Sequence, residues 1–79
     1  MKVTKRCIAC GVNETSDMEL NDDQLQVAFE AAMEALDTAC IGACIIFEEE
    51  SLRARFIRAD GGIIVSVEKA RKETNREAN

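Results

Sequence analysis

One amphipathic segment constrains this chain more than any other feature: DDQLQVAFEAAMEALDTAC, residues 22–40. Apolar residues recur in it at the three- and four-residue spacing of a single helix face, and its alanines favour the helix further. Asn21 or Asp22 can cap the start, and Gly42 is a plausible terminator. The stripe comprises Leu25, Phe29, Ala32, Leu36 and Cys40. The rest of the chain must therefore supply a surface that covers this one helix face.

Downstream of the helix, apolar residues alternate in a way that is typical of strands. Segments 43–48, 52–59 and 62–68 predict a three-stranded antiparallel meander. The pair Asp60-Gly61 suits the tight primed turn that joins the last two of these segments.

Upstream of the helix, residues 3–8 predict a possible fourth strand. The polar stretch NETSD, residues 13–17, predicts a turn, and residues 18–20 predict a short strand or part of the loop. We therefore predict an α+β fold, with one amphipathic helix packed on a three- to four-stranded antiparallel sheet in β-α-β-β-β order.

A chain of 79 residues forms one domain with a small hydrophobic core. We place that domain at residues 1–68 and expect a polar, frayed C-terminal tail at residues 69–79. The predicted core residues are Leu25, Phe29, Leu36, Ile46, Phe56, Ile63 and Val65.

The residue types that are missing argue against an enzyme. The chain has no His, so neither a Ser-His nor a Cys-His nucleophile pair can be built from it. Neither a phosphate-binding glycine loop nor a nucleotide-binding fingerprint is present. No apolar run approaches the length that spans a bilayer, and the N-terminus lacks a secretory signal, so we expect a cytoplasmic protein with reduced thiols.

The net charge of −5 is unevenly distributed. Residues 12–50 contain eleven acids and no Lys or Arg, whereas residues 51–79 hold seven bases and four acids. Glu30, Glu34 and Asp37 follow the helical i, i+4, i+7 spacing and share one exposed face, with Asp23 further along it.

This distribution predicts a small interaction protein whose acidic surface docks on a cationic surface of a partner protein, such as a nucleic-acid-binding groove. Short acidic phage-type inhibitors, including anti-CRISPR proteins and DNA mimics, are similar in size, charge and helix-plus-hairpin build. The alternative is a solvated face without a partner. The candidate partner-binding residues are Asp23, Glu30, Glu34, Asp37, Glu48, Glu49 and Glu50.

Four cysteines offer a second hypothesis. The segment CIACG, residues 7–11, resembles a zinc knuckle, in which a glycine after the second Cys lets backbone amides turn toward the sulfurs. A structural zinc site without His would need all four thiolates, Cys7, Cys10, Cys40 and Cys44. The other readings are core thiols, with Cys40 on the helix stripe and Cys44 on the inner face of a strand, or a functional disulfide.

Two further readings remain. Arg53, Arg55 and Arg58, with the basic residues of the tail, could bind nucleic acid, but no aromatic residue lies among them to stack on bases, so we do not expect direct binding. Ile57 and Ile64 lack a place in a one-sided core, and a homodimer that buries them would extend it.

Overall fold

The computed structural model describes residues 1–69 and contains one helix on a five-stranded antiparallel sheet. The strands are β1 (Lys2–Cys7), β2 (Val12–Asp17), β3 (Cys44–Glu49), β4 (Leu52–Ala59) and β5 (Gly62–Lys69), and the helix is α1 (Asp22–Asp37). The predicted α+β class is confirmed. The predicted tail lies outside the described residues, apart from Lys69, which ends β5.

The sheet has one strand more than predicted, and its spatial order is β2-β1-β3-β4-β5. The extra strand is β2, which covers the stretch predicted as a turn and pairs with β1 in a hairpin. Every residue of β2 is exposed. Because the strand buries no side chain, VNETSD lacks the apolar alternation that would predict a strand. The order along the chain is therefore β-β-α-β-β-β, and residues 18–20 form no strand.

A capping box begins α1. The Asn21 side chain accepts a hydrogen bond from the Gln24 N–H at 2.8 Å, and the Gln24 side chain accepts one from the Asn21 N–H at 3.0 Å. The helix ends at Asp37 with Thr38 as its C-cap, so the prediction that Gly42 ends it is wrong. Gly42 instead takes φ +94° in the loop that follows, where its N–H donates to the Arg58 carbonyl at 2.8 Å.

Three phenylalanines join the helix to the sheet. The ring of Phe29 lies 5.1 Å from the ring of Phe47 and 5.2 Å from that of Phe56, measured between centroids. Edge and tilted contacts of this kind add to the free energy of burial. The buried core comprises Val3, Cys7, Ala32, Leu36, Ala43, Ile45, Phe47, Ala54 and Phe56.

The predicted core is right at five positions: Leu36 and Phe56 are buried, and Leu25, Phe29 and Ile63 pack against the buried residues. It is wrong at Ile46, which pairs with Thr4 and Arg55 on the sheet face away from the helix. In ACIIF every position is apolar, so the pattern does not reveal which residues face the helix. Val65 lies on the helix side of edge strand β5 but remains 46% exposed. Among residues 1–69, no helix is both long and apolar enough to cross a membrane.

Candidate metal centre

The hairpin turn between β1 and β2 carries the first two cysteines. Cys7 ends β1, and Cys10 lies in the turn before Gly11. Gly11 takes φ +72°, which a residue with a side chain adopts only with strain, and its N–H donates to the Ile8 carbonyl at 3.2 Å. The turn holds Cys7 buried in the core, whereas Cys10 is exposed. The CIACG segment therefore forms the tight turn that its glycine predicts.

The loop between α1 and β3 carries the third cysteine. Cys40 lies beyond the helix end, so its predicted place on the helical stripe is wrong. Backbone hydrogen bonds hold this loop: the Ala39 N–H donates to the Leu36 carbonyl, and the Ala43 N–H donates to the Cys40 carbonyl at 3.0 Å. Two more join the loop to β4, because the Gly42 N–H donates to the Arg58 carbonyl and the Arg58 N–H donates to the Ala43 carbonyl, both at 2.8 Å. The loop exposes the Cys40 side chain toward the β1–β2 turn.

These two segments bring three sulfur atoms together. The Sγ atoms of Cys7, Cys10 and Cys40 all lie within 4.8 Å of one another, and those of Cys10 and Cys40 are 3.5 Å apart. With Zn–S bonds of about 2.3 Å, two thiolates on one tetrahedral zinc ion are separated by about 3.8 Å. The cluster therefore needs only small side-chain adjustments to coordinate one such ion.

Cys44 does not belong to this group. It pairs with Arg6 on β1 and with Ile57 on β4, which places it on the outer face of the sheet, opposite the face that carries Cys7. Its alternative assignment to the inner face of the strand is therefore also wrong. A four-thiolate site would require β3 to turn this side chain through the sheet.

Contacts within the cluster shift the pKa values of Cys7 and Cys10 in opposite directions. The thiol of Cys10 lowers the pKa of Cys7 by hydrogen bonding to its sulfur. The same contact, a second one with Cys40 and repulsion from neighbouring thiolates raise the pKa of Cys10 to about 12. A cation bound among the three sulfurs would remove the repulsion between their thiolates, because it attracts all three negative charges.

The surroundings of the cluster suit a metal–thiolate centre. All four cysteines border a cavity of about 280 Å³, which Lys5, Arg6 and Thr38 also line. The C-terminal end of α1, with its partial negative charge, borders this cavity and favours a cation there. Three thiolates around a divalent ion carry net negative charge, which Lys5, on the same face of β1 as Cys7, would partly offset.

Two exposed apolar residues are neighbours of cluster cysteines in the chain. Ile8 lies in the β1–β2 turn and is 88% exposed, and Ile41 follows Cys40 and is 63% exposed. Neither residue was predicted to have a functional role. The sequence feature that could have identified them is that each is an apolar residue directly after a cysteine.

The predicted acidic residues occupy two parts of the molecule. Asp23, Glu30, Glu34 and Asp37 are all exposed on α1. The other three lie at the β3–β4 turn, at the sheet end opposite the cysteine cluster, because Lys2 at the start of β1 pairs with Glu48. Glu48 forms an ion pair with Arg53, with Nε and Oε2 3.2 Å apart, so part of this charge is already paired.

The β4 arginines do not form one basic patch. Arg53 and Arg55 lie on the outer face, where they contact Glu48 and Glu68 respectively. Arg58 lies on the helix side, opposite Ile63 on β5. This split follows from the two-residue period of a strand.

Comparison of the chain with family models, with curated proteins and with solved structures found no match.

Proposed function

We propose that the chain is a small, non-enzymatic metal-binding module, in which Cys7, Cys10 and Cys40 hold one zinc ion. The observation that carries this proposal is the convergence of three sulfur atoms within 4.8 Å of one another, from a turn and a loop that are far apart in sequence. Thiolates favour soft and borderline cations, and zinc is the usual ion of structural cysteine sites. The proposal keeps the predicted zinc module but reduces its ligands from four to three.

Three thiolates leave one position of a zinc tetrahedron open. Cys10 and Cys40 are exposed, so this position faces solvent and can take a water molecule or a donor atom from a partner. Ile8 and Ile41, exposed and next to Cys7 and Cys40 in the chain, would offer apolar contacts to the same partner. An adaptor role, in which the metal both stabilises the domain and marks a docking point, accounts for these features together.

The ion would tie the β1–β2 turn to the α1–β3 loop. Both segments lie outside helices and strands, and among their backbone hydrogen bonds none joins the turn directly to the loop. A ligand that binds only the folded state stabilises it by about 2.7 kcal/mol when its free concentration is a hundredfold above Kd. For a domain with so small a core, that is a substantial share of the total stability.

Cysteine variants test this proposal directly. The protein is produced without a histidine tag, and zinc affinity is measured by competition with a chromogenic chelator and by native mass spectrometry. We expect one zinc per chain in the wild type and in Cys44→Ser, and a loss of at least about a hundredfold in affinity in Cys10→Ser and Cys40→Ser. These two positions are exposed, so serine there leaves the core intact.

Cys44→Ser is the matched control, because residue 44 borders the same cavity but its thiol lies outside the cluster. Failure of the wild type to bind zinc would overturn the proposal. Equal losses in Cys44→Ser and Cys40→Ser would do so too, because they would point to nonspecific thiol binding.

A second function, docking of the acidic helix flank on a cationic partner, is favoured by one specific observation. Val27, 65% exposed, and Met33, 43% exposed, lie on α1 among the acids. Val27 stands one turn from Asp23 and from Glu30 on the helix surface, and Met33 stands one turn from Glu30 and from Asp37. A flank that served only solvation would not need large apolar side chains between its carboxylates.

Replacing Glu30, Glu34 and Asp37 together by Lys tests this second function. Folding should persist, and capture of a basic partner should be lost. The amide-matched variant, Gln at the first two positions and Asn at the third, separates loss of charge from reversal of charge. Unchanged capture by the lysine variant would exclude the acidic flank as the docking surface.

A further inference from the structure

Edge strand β5 lacks the protection that edge strands usually carry. Among residues 1–69, no strand pairs with its outer side, and residues 62–67 contain no charged residue. The other edge, β2, carries Glu14 and Asp17 and is polar along almost its whole length. Edge strands in monomeric proteins are commonly protected by charges, bulges or Pro, because unpaired backbone groups otherwise recruit another strand.

The β4–β5 turn determines which backbone groups of β5 are free. Asp60 and Gly61 form a two-residue turn, which Ala59 and Gly62 close as a pair. Hydrogen-bonded and non-hydrogen-bonded pairs alternate from this closing pair onward. Ile63, Val65 and Val67 therefore point their N–H and C=O groups away from β4.

The side chains of β5 are apolar on both faces of the sheet. Val65 and Val67 are 46% and 50% exposed on the helix side, and Ile64 is 56% exposed on the outer side. Helix α1 contacts β4 and β5 but leaves the edge uncovered. Strand addition at this edge would cover apolar surface on both faces at once.

We propose that β5 pairs antiparallel with β5 of a second copy of this chain, about a two-fold axis that passes midway between the two Val65 residues. Val65 then lies opposite Val65 of the second copy, and Ile63 lies opposite Val67. These are the residues with outward-pointing backbone groups, so each such pair can exchange hydrogen bonds. Ile64 lies opposite Ser66 on the other face, so every pair also shares a face, as a continuous sheet requires.

The charges at the strand ends favour this register. Lys69 comes opposite Gly61 of the second copy, beside the oppositely charged Asp60, and Glu68 comes opposite Gly62. A register centred on Ser66 would instead place Ile64 opposite Glu68 and Ile63 opposite Lys69, which buries charges against apolar side chains. β5 is therefore self-complementary in the register centred on Val65 but not in the register centred on Ser66.

The chain's own C-terminal residues are a poor alternative occupant of this edge. Residues 70–79, ARKETNREAN, contain only two apolar residues, both alanines. They can supply little of the apolar surface that Val65 and Val67 require. A second copy supplies the same apolar strand.

Sedimentation velocity on the full chain over a range of concentrations tests the proposal. We expect the wild type to dimerise, and Val65→Lys, which brings two ammonium groups together at the axis, to raise the dimer dissociation constant roughly tenfold or more. Val27→Lys is the matched control and should dimerise like the wild type, because it makes the same change at an exposed valine on α1. Should Val65→Lys not fold, Val67→Lys replaces it.

Hydrogen exchange at the amides of Ile63, Val65 and Val67 locates the contact. Protection that appears with dimerisation and is lost in the lysine variant supports the β5 interface. A wild type that stays monomeric, or a dimer that Val65→Lys leaves intact, would overturn it. A monomer in which these amides are nevertheless protected would also overturn it and would assign the edge to residues 70–79.

Discussion

The sulfur atoms of Cys10 and Cys40 lie 3.5 Å apart, although the two residues are thirty positions apart in the chain. Neither belongs to a helix or a strand. The contact exists because the hairpin turn after β1 and the loop after α1 meet at the same end of the sheet. Its separation lies between a disulfide bond and a pair of thiolates on one metal ion, so both chemistries are within reach.

Oxidation of the metal-free protein should join Cys10 to Cys40 first. Both thiols are exposed and already in contact, whereas Cys7 is buried and Cys44 lies on the other face. With oxidised glutathione as oxidant, the two thiols give up two protons and two electrons, and the glutathione disulfide is reduced to two thiols. Peptide mapping after alkylation should find this crosslink, with Cys44 free.

Zinc should slow this oxidation, because the metal holds the sulfurs as ligands and blocks their attack on glutathione. Cys44→Ser, as control, should oxidise like the wild type. A first crosslink that involves Cys44, or a rate that zinc does not change, would contradict the prediction.

Removal of the Cys10 thiol should change how the stability of the metal-free, reduced protein depends on pH. The Cys10 pKa of about 12 lies above its ordinary value of 9.0, because hydrogen bonding to Cys7 and Cys40 favours the protonated thiol. The folded state therefore binds more protons than the unfolded state between these values. The stabilising contribution of Cys10 is fully present below pH 9.0 and is lost as the pH rises toward 12.

Urea midpoints measured across this range, with reductant and chelator, should fall more steeply for the wild type than for Cys10→Ser. The difference between the two curves reports the Cys10 thiol together with its effect on Cys7, whose pKa it lowers, because the groups outside the cluster are shared. Parallel curves would show that Cys10 titrates normally in the folded protein.

Replacement of the glycine in the cysteine turn should affect both stability and metal binding. Gly11→Ala places a side chain at φ +72°, which costs about 1–2 kcal/mol of strain, although the space around the site is open. Relaxation of that strain would move Cys7 and Cys10 relative to Cys40. Urea denaturation and the chelator competition should both record a loss.

Gly62→Ala is the matched control. Space around Gly62 is equally open, but its φ lies outside the left-handed region, so alanine should stabilise the chain slightly or leave it unchanged. Zinc affinity should be unchanged in this control. A Gly11→Ala protein with the stability and zinc affinity of the wild type would show that the turn tolerates another conformation.

Truncation of Phe56 should destabilise the domain far more than truncation of an exposed apolar residue. Phe56 is 2% exposed and contacts both other phenylalanines, so Phe56→Ala should cost about 3–5 kcal/mol. Val27→Ala, at a position that is 65% exposed, should cost less than about 1 kcal/mol. Thermal unfolding followed by circular dichroism distinguishes these outcomes, and similar losses would contradict the assigned core.

Much of the fold could be predicted from local patterns. The helix, its Asn21 cap and the meander were all predicted, because a 3.6-residue or two-residue period repeats over several residues and turn chemistry marks the ends. β2 escaped prediction because an edge strand that buries no side chain has no apolar period. Its place in the sheet comes from pairing with β1, which a local pattern does not record.

The candidate site also has features that local patterns predict and features that depend on the tertiary structure. The sequence determined a cysteine turn with its left-handed glycine, because CIACG acts over five adjacent residues. It also determined an acidic helix, through the spacing of Glu30, Glu34 and Asp37. It could not say which cysteines meet, since that depends on where two loops end in space.

Only the tertiary structure decided that Cys40 joins Cys7 and Cys10 while Cys44 faces the other way. The physical reason is that Cys44 lies on a strand, whose register fixes the face of each side chain, whereas Cys10 and Cys40 lie in segments that meet only in the folded chain. A strand sends successive side chains to opposite faces, so the register of β3 against β1 assigns Cys44 to its face. That register is a pairing between strands that lie almost forty residues apart in the chain, which no short segment of the sequence encodes.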